Sequence, residues 1–162
     1  MTNFGLTMHP TNPNVIFLGL ENVWRYDNLS DEFTRISTLT DSTSNKRYGI
    51  RSIAVSPSDT NVIYAVRGHP QWNDIDKRRL FKTTDGGINW NDITPGNNWI
   101  KYTGISDIAI NPEQPNEIFI SLFRNHAGKK VLSSNDGGSN WSNISDGIPN
   151  LPVNSIRYMK YE

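Results

Sequence analysis

Residues able to do chemistry gather in a few short stretches. His69-Pro70-Gln71-Trp72-Asn73-Asp74-Ile75-Asp76-Lys77-Arg78 sets an indole beside acids and bases. The face of Trp72 can stack on a sugar ring while the Asp74 carboxylate accepts bonds from its hydroxyls. Trp99 and Tyr102 in the stretch 97–102, and Arg124 with His126, offer the same kinds of contact. The structural alternatives stand beside these: Trp72 packed against a neighbouring element, and Asp74, Asp76, Lys77 and Arg78 as a solvated ion-pair cluster. Glycoside hydrolysis needs two positioned carboxylates; Asp74, Asp76 and Asp107 are available, but their spacing selects no pair. Arg51, Arg67 and Arg124 lie on or near expected strands and can point into a channel. Asp74-x-Asp76 lacks the rest of a calcium loop, and His9, His69 and His126 are not at zinc-ligand spacing. With no cysteine, no phosphate loop and no dinucleotide fingerprint, the expectation is no metal, no cofactor and no catalytic residue.

Two octapeptides are denser still. Thr83-Thr84-Asp85-Gly86-Gly87-Ile88-Asn89-Trp90 and Ser134-Asn135-Asp136-Gly137-Gly138-Ser139-Asn140-Trp141 both read Ser/Thr-x-Asp-x-Gly-x-x-Trp. Glycine admits positive φ in a hairpin, the aspartate can accept backbone N–H groups, and the tryptophan can return to bury its ring. The expected role of Thr83, Asp85, Gly87, Trp90, Ser134, Asp136, Gly138 and Trp141 is structural. Replacing Asp85 with alanine should open the turn and leave any ligand site untouched. An eroded copy has Tyr26, Asn28, Ser30 and Phe33 at the corresponding places.

These turns sit inside a larger repeat. Pro10, Pro57 and Pro112 each precede an asparagine by four residues (Asn14, Asn61, Asn116), and each asparagine precedes an Ile-aromatic pair by two. Around them run short, alternating, β-branched segments that read as strands. The first unit has strands at about 4–8, 15–20, 23–27 and 32–36. The second has them at about 50–56, 61–67, 79–84 and 88–93, and the third at about 105–111, 117–123, 130–134 and 139–144. No useful amphipathic helix is present. Four antiparallel strands every ~50 residues describe a propeller blade. The expected fold is therefore all-β: a β-propeller arc of three four-stranded blades at about 4–37, 50–94 and 105–145. A segment at about 153–159 follows as the first strand of a fourth, and the whole reads as a fragment of a larger propeller.

Composition narrows the function classes. Sixteen Lys+Arg balance sixteen Asp+Glu, which disfavours a nucleic-acid binder. No apolar run reaches the length of a membrane span. Seventeen aromatic residues argue against disorder, and 47 Asn, Ser and Thr residues suit many tight turns. Met1–Gly5 has neither the basic nor the apolar part of a signal peptide. The expectation is a cytoplasmic protein or a chain without its true start.

The octapeptides 83–90 and 134–141 resemble the Asp-box, or BNR, repeat of sialidases, sortilin-type receptors, xyloglucan-cleaving hydrolases and many secreted bacterial propellers. With Pro-x-x-x-Asn-x-Ile-[Phe/Tyr], the pattern looks most like the sortilin-like and xyloglucanase-like group, over about residues 4–158. The resemblance implies an extracellular or cell-surface location and ligand sites on the face opposite the Asp-boxes. There the two-to-three and interblade loops would gather Trp72, Asp74, Trp99, Tyr102, Arg124 and His126. The implied function is a non-catalytic module binding polysaccharide or protein, its other partners being further blades or a second copy. The alternative is a fragment of a xyloglucanase-like glycoside hydrolase.

Overall fold

The computed structural model describes residues 5–39, 49–68, 78–96, 104–123 and 128–160. The first sheet is β1 (Leu6–Met8), β2 (Val15–Gly19), β3 (Val23–Asp27) and β4 (Glu32–Arg35). The second is β5 (Gly49–Val55), β6 (Ile63–Gly68), β7 (Arg79–Thr83) and β8 (Asn91–Asp92). The third is β9 (Ile105–Asn111), β10 (Gln114–Leu122), β11 (Val131–Ser134) and β12 (Ser142–Asn143). Within each sheet the strands pair in chain order, and all the pairs are antiparallel. The strands fall close to their expected places. The clearest difference is that β8 and β12 are shorter than 88–93 and 139–144, because Asn89, Trp90, Asn140 and Trp141 are consumed by the turns before them.

Period-2 alternation explains how the middle sheet is sandwiched. Every residue of β6 is buried. Ile63 and Ala65 join Val15, Phe17, Val23 and Leu39 in a core shared with the first sheet. Val62, Tyr64 and Val66 point the other way, into a core shared with Ile108, Ile110, Ile118 and Ile120 of the third sheet. A one-residue slip would exchange the two sets. Polar ties cross the second of these seams: the Tyr64 hydroxyl donates to Pro115 O (2.9 Å), and Lys82 Nζ to Asn116 Oδ1 (2.8 Å).

Residues 153–158 carry no strand ladder, but they lie where a fourth first strand belongs. Val153 N donates to Leu122 O (3.2 Å) just as Ile50 N donates to Leu20 O (2.7 Å). Tyr158 sets its ring 5.9 Å from that of Phe119. A strand ladder needs a partner, and no described strand pairs with this segment.

The sheet edges sort the loops. Gly86 N donates to Asn61 O (3.0 Å), Gly137 N to Asn116 O (2.8 Å) and Asn28 N to Asn14 O (2.8 Å). The three-to-four turns therefore share an end of the sheets with the Pro/Asn turns. The opposite end, at Gly68, Gly104 and Phe123, is where the expected long loops, themselves outside the described residues, join the sheets. Phe123 N donates to Gly104 O there (3.1 Å), and Gly49 pairs with Gly68.

Candidate functional site

Each octapeptide closes on itself. The Thr83 hydroxyl donates to Asp85 Oδ1 (2.7 Å) and accepts from Gly87 N (3.0 Å). Asp85 then accepts Asn89 N at Oδ1 (2.9 Å) and Asn89 Nδ2 at Oδ2 (2.7 Å). The second copy repeats this through Ser134, Gly138 and Asn140, at 2.8, 2.9, 2.8 and 2.7 Å. The bond from the asparagine backbone, followed by those from the hydroxyl and amide side chains, holds the Asp85 carboxyl down at about 2. Asp136 is also held at about 2, led again by the Asn140 backbone. A carboxylate locked in its ionised form is a turn-holding group, not a proton donor.

The turns also join sheet to sheet. Gly87 has φ +103°, and a Cβ on it would lie 2.7 Å from Ile36 O in the first sheet. Gly138 has φ +99°, and its Cβ would meet Ile93 Cδ1 of the second sheet at 2.5 Å. Trp90 Nε1 donates to Ile36 O (2.8 Å) and Gly87 O (3.1 Å), and Trp141 Nε1 donates to Gly138 O (3.0 Å). Sequence reasoning found the aspartate, glycine and tryptophan but missed two parts. One is the asparagine before each tryptophan. The other is Ile36-Ser37, Ile93-Thr94 and Ile144-Ser145: Ile36 and Ile93 are the seats, and in all three pairs the hydroxyl accepts a backbone N–H, from Val23, Leu80 or Val131. The available signal was a constant spacing: each isoleucine falls three residues after Phe33, Trp90 or Trp141.

The second candidate region is a groove of about 850 Å³ along the innermost strands β1, β5 and β9 and the segment 153–158. Asp107 is the one acidic residue among its described lining residues. Asp107 accepts Ser52 Oγ (2.6 Å) and Ile108 N (3.0 Å) at one oxygen. At the other it accepts Ser155 Oγ (2.9 Å), Ile156 N (3.2 Å) and Arg157 Nη1 (2.7 Å). Burial pushes its pKa up, but the bonds from Ser52, Ile156, Arg157 and Ser155 outweigh it, and the net shift is downward. Asp107 is thus a clamp joining three successive inner strands.

Arg51 lines the groove near the long-loop end. Its guanidinium carbon sits 5.5 Å from the Phe123 ring centre, and its stem crosses Gly68 so closely that a Cβ there would fall 1.9 Å from Arg51 Cδ. Arg67, expected with Arg51 to reach a channel, does not line this groove. It is buried over Phe81 (5.1 Å) and donates to Leu39 O. His9 is spent on a turn: Nδ1 accepts Thr11 N (3.2 Å) and Asn12 N (3.1 Å), and burial, then Arg25, lowers its pKa. Trp72, Asp74, Asp76, Trp99, Tyr102, Arg124 and His126 lie outside the described residues.

Three radially stacked four-stranded sheets with their first strands along one groove make the class plain: this is an arc of a β-propeller. No protein-family model matches the chain. The chain is 21% identical over 158 residues to a probable oligoxyloglucan-reducing end-specific xyloglucanase of Neosartorya fischeri, covering 94% of this chain and 18% of that one. An ancestral GH74 enzyme superposes with a TM-score of 0.59 at 25% identity, over 91% of this chain and 19% of the other. YCF48 bound to D1 peptide superposes with a TM-score of 0.57 at 16% identity, over 87% and 40%. The chain therefore spans less than a fifth of the length of the xyloglucanase and of the GH74 enzyme. It has the fold of a propeller piece, similar to GH74 and YCF48 propellers. Among the described residues no helix is long and apolar enough to cross a membrane.

Proposed function

We propose that this chain is a non-catalytic binding module of a secreted or cell-surface propeller, taking polysaccharide or protein on its long-loop face. On this reading its turns at 83–90 and 134–141 are Asp-boxes of the BNR repeat. Its blades run over about 4–37, 50–94 and 105–145, with a fourth beginning at about 153–159. The observation that carries the reading is the division of labour in the groove. Its one described carboxylate, Asp107, is held ionised by five donors, whereas Arg51 is backed by Phe123 beside the long loops. A glycosidase would want a second carboxylate and one with a raised pKa. Trp72, Asp74, Trp99, Tyr102, Arg124 and His126 are the proposed contact residues on that face. A glycan array and a protein pulldown, run with wild type and Trp72→Ala, test it. Loss of the captured ligand with Trp72→Ala is expected; equal capture by both proteins would remove that loop from the reading.

The likeness to a xyloglucanase over 94% of the chain favours a second reading, a piece of a xyloglucanase-like glycoside hydrolase with carboxylates split between blades. It requires that a full-length parent cleave β-glucan and that a single Asp→Asn change abolish cleavage. A folded, inactive parent would count against it.

A further inference from the structure

Asp-Gly occurs three times in the chain, at Asp85-Gly86, Asp136-Gly137 and Asp146-Gly147. The pair has a reaction of its own. The glycine nitrogen attacks Cγ of the aspartic acid, the N–Cγ bond forms, and the carboxyl hydroxyl leaves as water with the amide proton. Water then opens the cyclic imide. Where it breaks the bond from the nitrogen to the α-carbonyl carbon, the main chain now runs through Cγ, as isoaspartate. Nothing is oxidised or reduced, and water is the only co-reactant. The reaction needs a glycine N–H that can release its proton, a carboxyl that can take one up, and freedom for the two to meet.

All three glycines share one conformation, with φ of +71°, +72° and +77°. Their bonds differ. Gly86 N donates to Asn61 O (3.0 Å) and Gly137 N to Asn116 O (2.8 Å). The carboxylates before them are tied at both oxygens, Asp85 by Thr83 and Asn89, Asp136 by Ser134 and Asn140. Their pKa of about 2 leaves few protonated carboxyls to be attacked. Exposure to solvent is not the distinction, because Asp136 is itself exposed.

Asp146 and Gly147 are the central residues of a β-turn closed by Ile148 N donating to Ser145 O (3.0 Å), with positive φ at the glycine. The turn is anchored only behind them, where Ser145 Oγ accepts Lys130 N (2.8 Å) and Val131 N (2.9 Å). Among the described residues no hydrogen bond or ion pair engages the Asp146 carboxylate or Gly147 N. Both residues are exposed, and a Cβ on Gly147 would meet nothing within 4 Å. We propose that Asp146 is a site of isoaspartate formation in the folded chain, and that the hydrogen bonds of the two octapeptides protect Asp85 and Asp136 from the same reaction. The octapeptide turn then preserves its own Asp-Gly bond as well as its shape. The carboxylate formed at 146 is a substrate for the class of methyltransferase that esterifies isoaspartate, the methyl group passing from the sulfonium of S-adenosylmethionine to a carboxylate oxygen.

The test ages the folded chain for weeks in warm, mildly acidic buffer. Trypsin then releases peptides 83–101 and 131–157, the second holding Asp136 and Asp146 together. Electron-transfer fragmentation should find isoaspartate at Asp146 at about ten times the level at Asp85 or Asp136, or more, because those two turns must first open locally. In urea the three levels should converge. Ser134→Ala removes the hydroxyl that ties Asp136 and Gly138, and should raise isoaspartate at Asp136. Asp85, in the untouched turn, should stay low in that variant and so report that the chain is folded. Asp146→Glu, which can close only the slower six-membered ring, should accept almost no methyl groups from an isoaspartyl methyltransferase after ageing, whereas the aged wild type accepts them. Comparable levels at Asp136 and Asp146 in the folded wild type, or none at Asp146, overturn the proposal. So does a Ser134→Ala chain in which Asp85 stays low and Asp136 is unchanged.

Discussion

The hairpin joining β3 to β4 and the turns joining β7 to β8 and β11 to β12 occupy equivalent places in their sheets and solve them differently. Tyr26 to Phe33 spans as many residues as Thr83 to Trp90. Both kinds of turn donate a backbone N–H to the repeated asparagine of the neighbouring turn. In the first sheet the ladder runs on, pairing Tyr26 with Phe33 and Asp27 with Glu32. Their rings meet at 4.5 Å, the Tyr26 hydroxyl donates to Asp31 Oδ1 (2.9 Å), and Asp31 takes φ +54°. Phe33 remains 61% exposed. In the other two sheets the ladder stops early and the freed residues form a polar knot that presses glycine and tryptophan onto the preceding sheet. The backbone anchor thus defines the position of the turn, and the side chains decide whether the turn also joins blades.

Three experiments break or sharpen that contrast. Gly87→Ala should be the most damaging single change, because it forces alanine to positive φ and into the Ile36 carbonyl; a loss of about 3 kcal/mol is expected. Ser30→Ala, at the matching place in the first hairpin, should change urea stability by no more than about 0.5 kcal/mol. A urea midpoint for Gly87→Ala within error of wild type would show that the close approach carries no energy.

Next comes the aromatic pair. Trp90→Ala removes a half-buried ring and the N–H that donates to two carbonyls, and should cost about 2 kcal/mol. Phe33→Ala, largely in water, should cost about 0.5 kcal/mol. Equal losses in thermal denaturation would mean that the indole does not bind the sheets together.

The smallest effect is acid sensitivity. Asp85 and Asp136 have pKa values depressed from 3.8 to about 2 in the folded chain. Depressed carboxyls contribute stability that is fully present above the unfolded value, near 3.8, and is lost as pH falls towards 2. Stability measured from pH 6 to pH 2 should therefore fall below about pH 4, less steeply in Asp85→Asn than in wild type. Asp85→Ala should weaken the protein while leaving any ligand captured on the long-loop face bound as before. An acid limb unchanged by Asp85→Asn would assign the loss to other groups.

Much of the architecture was legible because it is local and repeated. β-Branched alternation located the strands, and Pro/Asn turns at constant offset divided them into sheets. That the middle sheet is covered on both sides came from the structure, which turns Ile63 and Ala65 to one neighbour and Val62, Tyr64 and Val66 to the other. The octapeptide reads as structural from its residue types, and in the structure its hydroxyl donates to its aspartate and accepts the N–H of its second glycine. Less legible was anything that depends on a neighbour. Asn89 looked like a spacer until its amide was found on Asp85, and Ile36 looked like a strand end until Gly87 was found against it. Asp107 was one of several loose carboxylates, and its partners lie at separations of about 50 residues, beyond any local pattern.

The sequence alone determined the repeat: its period, its strand content and the chemistry of its turns. These depend on residues within a few positions of one another, where dihedral preference and hydrogen-bonding reach decide the outcome. Only the tertiary structure decided what each repeat does to the next. Arg51 and Arg67 look alike in sequence, yet one lies along the groove on Phe123 and the other is buried over Phe81 between sheets. Ile36, Ile93 and Ile144 end their sheets alike, yet only the last is bare. The physical reason is that burial and desolvation belong to surfaces brought together by stacking, and no single repeat contains both sides of its own interface.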